Sequence, residues 1–340
     1  FVVAVCGLWP SAVTDAAAAS MSHVAWDGFA HHDTIFPLFL FIAGVSFPYS
    51  VAKQRAGGMS EGRIYAKIVR RGLTLVVLGM VYNGLFKLDF ENLRIASVLG
   101  RIGLAWSIAA VLYLNFGVKT RAAIAVAVLA GYGALSALVA APDAAGAGPL
   151  TFEGNLAGYI DRQFLPGKLI YGSFDPEGLL STVPAVVTAM LGMFTGEFVR
   201  RSDIRGGRKT LWVAAAAAAL LAAGLAFSGV LPVNKKLWSS TFVCVVGAYS
   251  LGMFALFYYL IDVRGWRRWT LFFRVVGLNS ITIYLAQRIV GFGRISDFFL
   301  GGIASKCPEA VAAVISSAGY VAVCWLFLYF LYRKNVFLKV

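Results

Sequence analysis

The sequence contains few charged residues. Only 14% of its 340 residues are Asp, Glu, Lys or Arg, 59% are hydrophobic, and the mean hydropathy is +0.77. An ordinary soluble domain is about 25% charged and about 45–50% apolar. A soluble fold of this size could not bury so much apolar surface, because a large fraction of any folded surface stays in contact with water. The composition therefore predicts a polytopic membrane protein and excludes the secreted, fibrous and disordered classes.

Cysteine is scarce as well. The four cysteines, Cys6, Cys244, Cys307 and Cys324, show no CxxC spacing, so the sequence predicts neither a disulfide framework nor a thiolate metal site. A basic segment is also missing before the apolar run with which the chain opens. We therefore expect this run to be the second half of a spanning helix rather than a cleavable signal peptide.

Apolar runs of about 20 residues mark the spanning helices, since this length crosses roughly 30 Å of hydrocarbon. They predict an all-α, polytopic transmembrane bundle of about ten spans in a single domain over residues 1–340. The first span is truncated and ends before Pro10. The other nine are expected at residues 34–52, 68–87, 95–116, 121–141, 178–199, 210–230, 238–262, 271–292 and 309–332.

Basic residues are concentrated in alternate loops. The net charge is +14, from 30 Lys and Arg against 16 Asp and Glu. Cytoplasmic loops of membrane proteins are enriched in Lys and Arg, so this excess predicts a cytoplasmic C terminus and does not indicate a nucleic-acid partner. The basic loops are residues 53–71, 119–121, 200–209, 264–274 and 333–339. The loops expected outside are residues 9–33, 87–94, 142–177, 231–237 and 293–308.

All three histidines lie within ten residues of one predicted outer loop, at His23, His31 and His32. Histidine exchanges protons near neutral pH, so this segment is a candidate for acid–base chemistry. Asp33 either caps the helix that follows or orients an imidazole. A solvated loop is the more economical explanation of His31 and His32. We expect no metal site, because the histidine spacing matches no metal-binding motif.

Other polar residues are clustered near the same predicted side of the membrane. Carboxylates at a membrane surface suit the recognition of amines or sugar hydroxyls, although Asp-Pro and Glu-Gly are also turn dipeptides. Polar groups within a span are either ties between helices or pocket lining, and a cation there is expected to face a polar cavity or an anion. The residues concerned are the carboxylates Asp175 and Glu177, the loop residues Asn234 and Lys235, the span residues Asn279 and Ser280, and Arg101.

Taken together, these clusters resemble the heparan-alpha-glucosaminide N-acetyltransferase family, and especially its bacterial, NagX-like branch. The matching strings cover most of the chain in the same order. They are HVAWDG at 23–28, DTIFP at 33–37, FIAGVS at 41–46, RRG at 70–72, VLGRIG at 98–103, GYIDR at 158–162, DPEG at 175–178, VNKKLW at 233–238 and GLNS at 277–280.

The resemblance implies an acyltransferase that moves acetyl from cytosolic acetyl-CoA to the amine of a glucosamine-type sugar at the outer side of the membrane. The essential histidine of the family lies in the string that reads His-Val-Ala-Trp here, so it corresponds to His23. Asp33 is the second catalytic candidate, chosen for the ability of a carboxylate to orient an imidazole. The expected contacts of the sugar are Trp26, Asp175, Glu177, Asn234, Lys235, Asn279 and Ser280. The expected contacts of CoA are Arg70, Arg71, Arg101, Arg267 and Arg268, although ordinary positive-inside bias also explains several of them.

Several alternatives stay open at this point. His23 would act either as a general base in a ternary complex or as an acetyl acceptor in a ping-pong mechanism. An amino-sugar permease without acyl transfer is the second hypothesis, disfavoured because the polar residues lie toward one side and no inverted repeat is visible. The expected partners are acetyl-CoA, an amino sugar and membrane lipids, and a homodimer is open. The resemblance places the chain in a bacterial inner membrane.

Overall fold

A computed structural model describes residues 1–8 and 11–338, and these residues fold into α-helices joined by loops and short 3₁₀ turns. The prediction of an all-α fold is confirmed. Two residues used in the sequence predictions, Pro10 and Lys339, lie outside the described residues. The helices are α1 Val2–Cys6, α2 Ala12–Ser20, α3 Ile35–Ala56, α4 Glu61–Tyr82, α5 Val98–Asn115, α6 Val118–Leu138, α7 Leu156–Phe164, α8 Leu179–Arg200, α9 Gly206–Phe227, α10 Ser240–Tyr258, α11 Thr270–Leu278, α12 Ser280–Ala286, α13 Phe292–Ala304 and α14 Glu309–Arg333.

Seven helices among the described residues are long and apolar enough to cross a membrane, namely α3, α5, α6, α8, α9, α10 and α14. The pair α11 and α12, bent by 57° at Asn279, adds an eighth if it forms one span. The full count of ten predicted spans is not confirmed. Helix α1 has only 5 residues, and α4, although 22 residues long, carries Lys67, Arg70 and Arg71 in its sequence.

Contacts divide the chain into two compact units. The first, here called the main unit, comprises residues 24–29 and 33–264 and contains α3 to α10. The second, the terminal unit, comprises the described residues of 1–23, 30–32 and 265–340 and contains α1, α2 and α11 to α14. The expectation of a single domain stays a prediction.

Small residues bring the helices of the main unit into close contact. A Cβ atom on Gly192 of α8 would lie 2.0 Å from the carbonyl oxygen of Phe41 on α3, and one on Gly196 would lie 2.2 Å from that of Val45. The contacts advance in the same direction along both helices, so α3 and α8 are parallel. Such approach of backbones without bulky side chains is typical of helix packing in membranes.

The helices of the main unit place one set of loops at a common end, here called the polar end. It carries the N termini of α3, α5, α8 and α10. Trp238, just before α10, packs on Phe36 of α3 with ring centroids 5.0 Å apart. The Tyr132 hydroxyl, near the end of α6, donates to the carbonyl of Leu237 at 2.5 Å.

The opposite end of the main unit, the basic end, carries the C termini of α3, α5, α8 and α10. There Arg121, near the start of α6, donates to Glu197 near the end of α8 at 2.6 Å. Lys209 of α9 donates to the carbonyl of Val199 at 2.7 Å. Most basic residues of the predicted cytoplasmic loops of this unit lie at this end.

Three of the predicted outer loops contain short helices, and the first of these is α2 within residues 9–33. Residues 293–308, expected as a loop, lie mostly in the 13-residue helix α13, which packs on α14. Its buried positions, Phe292, Ser296 and Ala304, recur every four to eight residues, as on one face of an amphipathic helix. Helix α7, within residues 142–177, begins where the Asn155 side chain accepts from the backbone N–H of Gly158 at 2.7 Å.

Candidate active site

At the polar end, residues 24–28 of the HVAWDG string are joined to the loop before α10, residues 232–239. The backbone N–H of Gly28 donates to the carbonyl of Val233 at 2.8 Å. The side-chain amide of Asn234 donates to the Asp27 carboxylate at 3.1 Å. Gly28 has φ +128°, in a region that favours glycine. Two strings separated by about two hundred residues of sequence therefore form one structural unit.

The loop 232–239 is rigidly organised by its own side chains. The Asn234 carboxamide accepts the backbone N–H of Leu237 at 2.9 Å, and the Ser239 hydroxyl accepts the N–H of Asn234 at 3.0 Å. Ser239 also caps α10 by accepting the N–H of Phe242 at 3.2 Å. Asn234 is only 1% exposed, so the structure gives it a role in holding the loop. Its predicted contact with a sugar stays a prediction.

Asp33 and Lys235 form an ion pair across this junction. The Lys235 ammonium lies 3.1 Å from Oδ1 of Asp33. Asp33 is 2% exposed and belongs to the 3₁₀ turn that leads into α3. The next residue, Lys236, donates instead to the backbone carbonyl of Ala25 at 2.5 Å. Sequence analysis assigned Lys235 to the substrate, and the structure shows it bonded to the carboxylate that was assigned to catalysis.

Asp175 and Glu177 share an arginine that sequence analysis did not select. The Arg94 guanidinium donates to both oxygens of Asp175 at 2.6 Å and also to Glu177. The side chain of Asp175 has no exposed surface and that of Glu177 is 11% exposed. These charge-assisted bonds raise the pKa of Arg94 above its usual value, although burial alone would lower it. One guanidinium thus bonds to both carboxylates and offsets one of their two negative charges, and their contact with a substrate amine stays a prediction.

Asp161, on α7, connects this cluster to the start of α8. Its carboxylate accepts the backbone N–H of Leu179 at 2.9 Å and that of Asp175 at 3.2 Å. Gly178 lies against it so closely that a Cβ atom would be 2.0 Å from Oδ2. Burial raises the pKa of Asp161 from 3.8 to about 6, although the two backbone N–H groups lower it. This residue anchors the loop that carries the predicted sugar-binding carboxylates.

Arg101 lies fully inside the polar end, as a cation near the start of α5. It is 2% exposed, donates to the carbonyl of Pro176 and the hydroxyl of Ser181, and stacks on the indole of Trp238 at 4.9 Å. Its Nε and one terminal nitrogen have no hydrogen-bond partner among the described residues. The position is at the opposite end of the main unit from the basic loops. Its predicted contact with CoA stays a prediction.

Trp26 belongs to an aromatic cluster beside the same junction. Its indole donates to the carbonyl of Leu150 at 3.0 Å and packs on Phe152 and Phe174. Tyr171 completes the cluster, with the Lys236 ammonium 4.5 Å from its ring centroid. The indole therefore connects the segment around Trp26 to the loop that precedes α7.

The remaining predicted residues are divided between the units. In the terminal unit, exposed His23 packs edge-on against His32 with ring centroids 4.3 Å apart. Asn279 lies at the break between α11 and α12, is 1% exposed, and its side-chain atoms have no hydrogen-bond partner in the described part of the chain. Ser280 begins α12, and Arg267 and Arg268 are exposed before α11.

Arg70 and Arg71 lie on α4 of the main unit. Arg70 is exposed, whereas Arg71 stacks over Trp106 at 4.4 Å from the ring centroid. The buried Nε of Arg71 has no hydrogen-bond partner among the described residues. Arg71 is the eleventh residue of a 22-residue helix, so it lies in the middle of α4 rather than in a loop.

Comparison with known proteins identifies the family of the chain. The family model "Heparan-alpha-glucosaminide N-acetyltransferase, catalytic" matches residues 3–230. The chain belongs to this family. The human heparan-alpha-glucosaminide N-acetyltransferase is 27% identical over 373 aligned positions, which cover 94% of this chain and 55% of the human protein. The mouse protein of the same name is 25% identical over 372 positions, covering 94% and 56%.

The chain thus spans about half the length of the curated relatives that it matches. The matched region of the N-acetyltransferase family includes His23, Asp33, Arg94, Asp161 and the carboxylate cluster. The loop 232–239 and helices α10 to α14 lie beyond it. The structure nevertheless joins that loop to the matched region through the bonds at Asp27, Gly28 and Asp33.

Proposed function

We propose that the chain is a transmembrane N-acetyltransferase that moves acetyl from acetyl-CoA to the amine of a glucosamine-type sugar. CoA is a polyanion that does not cross hydrocarbon, so it would enter from the cytoplasmic side, where basic loops are expected. The acceptor would bind at the outer side. The observation that carries the proposal is the junction at the polar end, where the HVAWDG segment and the NKKLW loop of a family member are held together around the ion pair of Asp33 and Lys235.

His23 is the proposed general base. It would take a proton from the ammonium of the sugar, and the free amine would then attack the thioester carbonyl. The tetrahedral intermediate collapses to the amide as the C–S bond breaks, and the CoA thiolate leaves and takes up a proton. In the second route, the imidazole attacks the thioester first, the C–S bond breaks, and the CoA thiolate leaves and takes up a proton. The free amine then attacks the acetyl-imidazole, its nitrogen loses a proton, and the imidazole leaves as the amide forms.

Assays with purified protein and radiolabelled acetyl-CoA test this function. We expect acetylated glucosamine from the unaltered protein, and a loss of at least about 100-fold in His23→Ala, as is usual when a general base or nucleophile is removed. His31→Ala is the matched control, since it removes a neighbouring imidazole that is expected to lie in a solvated loop. Helix content and elution volume should be the same in all three proteins.

The permease hypothesis is tested in the same preparation. Proteoliposomes that accumulate labelled glucosamine without acetyl-CoA, and that form no acetylated product when it is present, would contradict the proposed transferase. Placement in a bacterial inner membrane and assembly as a homodimer are further parts of the proposal. Size measurement in detergent and cell fractionation would test them.

A further inference from the structure

We propose that Lys235 is a positioning residue that acts through Asp33 rather than by contact with the acceptor sugar. This inference depends on the proposed transferase function. The structure places the Lys235 ammonium 3.1 Å from Oδ1 of Asp33. Lys235 therefore neutralises the carboxylate that the sequence assigns to the orientation of the catalytic imidazole.

Because Asp33 is buried, its ionised form depends on the contact with Lys235. The side chain of Asp33 is 2% exposed, and that of Lys235 is 23% exposed. A carboxylate withdrawn from water is disfavoured in its ionised form unless an opposite charge or hydrogen bonds compensate. Without the ammonium, Asp33 would protonate more readily or turn toward another donor. In either case its orientation at the start of α3 would change.

The backbone around Lys235 directs its side chain. The carbonyl of Lys235 accepts the N–H of Trp238 at 3.1 Å, and the flanking Asn234 is fixed by its bonds to Leu237 and Ser239. A side chain that begins at so constrained a position has fewer conformations to lose when it pairs. A flexible lysine at a substrate site would lack this support.

Lys236 provides a comparison within the same loop. It has the same charge and is the next residue, but it donates to a backbone carbonyl, that of Ala25, and its ammonium lies 4.5 Å from the Tyr171 ring centroid. Removal of this ammonium leaves no buried carboxylate without a partner. Lys236→Met is therefore the control for a general effect of charge or of loop stability.

Steady-state kinetics of Lys235→Met distinguish positioning from substrate contact. We expect kcat to fall about 10- to 100-fold, the size of a misplaced catalytic group, while KM for the amino sugar changes less than about 3-fold. Lys235→Arg should restore most of kcat, because a guanidinium can pair with the same carboxylate. Lys236→Met should lower kcat less than Lys235→Met does, because its ammonium bonds to a backbone carbonyl and not to Asp33. A raised KM with kcat unchanged in Lys235→Met would overturn the proposal.

A double-mutant cycle adds a second criterion. If Lys235 acts through Asp33, then Asp33→Asn combined with Lys235→Met should be no slower than Asp33→Asn alone. If the fold-loss of kcat in the double variant equals the product of the two single losses, the two residues act separately. That result would also overturn the proposal.

The thermal midpoints of the same four proteins distinguish a failure of this inference from a failure of the proposed function. If the unaltered protein transfers no acetyl group, the function is wrong. Non-additive midpoints for the pair would then still support the coupling of Lys235 to Asp33. Additive midpoints would contradict it regardless of activity.

Discussion

At the scale of single residues, Asp161 shows how burial makes a structural carboxylate sensitive to pH. It has no exposed surface and accepts two backbone N–H groups at the start of α8. Burial raises its pKa from 3.8 to about 6. The folded protein therefore binds this proton more tightly than the unfolded chain does. The stabilisation is complete below the unfolded pKa and is lost as the pH rises through about 6.

Asp161→Asn is expected to remove this pH dependence. The shift corresponds to at most about 3 kcal/mol in the free energy of unfolding between low and neutral pH. We expect the thermal midpoint of the unaltered protein in detergent to fall more between pH 4 and pH 7 than that of the variant. Asp143→Asn is the control, because its pairing with Arg162 lowers the pKa of that exposed carboxyl. Equal pH profiles for the Asp161 variant and the unaltered protein would contradict the prediction.

The sequence indicated the chemical type of the side chains at the polar end but not their partners. Asp175 and Glu177 were selected as carboxylates able to bind a substrate, and the structure pairs both with Arg94, 81 and 83 residues away. Asp33 and Lys235, 202 residues apart, were each selected and never linked. A linear pattern shows the chemical type of a side chain. Which charges neutralise one another depends on how distant loops meet, and one sequence does not contain that information.

At the scale of helices, the contact of α3 with α8 depends on small residues. A Cβ atom on Gly192 would lie 2.0 Å from a backbone carbonyl of Phe41 and 3.0 Å from Cα of Gly44. Backbone atoms cannot rotate away as a flexible side chain can. We expect Gly192→Ala to lower the free energy of unfolding by about 1–3 kcal/mol, as for other overpacked cores.

Gly131→Ala is the control for this change. Gly131 lies on α6, and apart from the backbone of its own helix and its chain neighbours no heavy atom of the described residues lies within 4 Å of the position that its Cβ atom would occupy. The substitution should therefore be neutral or stabilising by up to about 1 kcal/mol, the difference in helix propensity. Denaturation of both variants in detergent measures the difference between their free energies of unfolding. A Gly192→Ala protein as stable as the Gly131→Ala protein would show that the helices separate without cost.

Helices that cross the membrane were predictable, and short helices were not. The runs predicted at 178–199 and 238–262 match α8 and α10 closely, because a long apolar segment has few alternatives in lipid. Helices α2, α7 and α13 were missed, since their 9, 9 and 13 residues are too short for a span. The span predicted at 271–292 breaks at Asn279. The polar residues Asn279 and Ser280 were noted there, but only as ties between helices or pocket lining.

At the scale of the whole molecule, the loops of the main unit that are richest in basic residues lie at one end. The basic end carries arginines in the loop after α8, whereas the polar end carries the carboxylates Asp27, Asp33, Asp161, Asp175 and Glu177. Loops rich in Lys and Arg remain in the cytoplasm. We therefore expect the basic end to face the cytoplasm and the polar end to face outward.

Single cysteines introduced at exposed loop positions test this orientation. The background would have Cys6, Cys244, Cys307 and Cys324 replaced by serine or alanine. Glu91→Cys, in the loop between α4 and α5 at the polar end, should react with a membrane-impermeant maleimide added to intact cells. Ser202→Cys, between α8 and α9 at the basic end, should react only after the membrane is permeabilised. The reverse pattern would place the ion pair of Asp33 and Lys235 on the cytoplasmic side. That result would contradict the expected orientation and an acceptor site at the outer side.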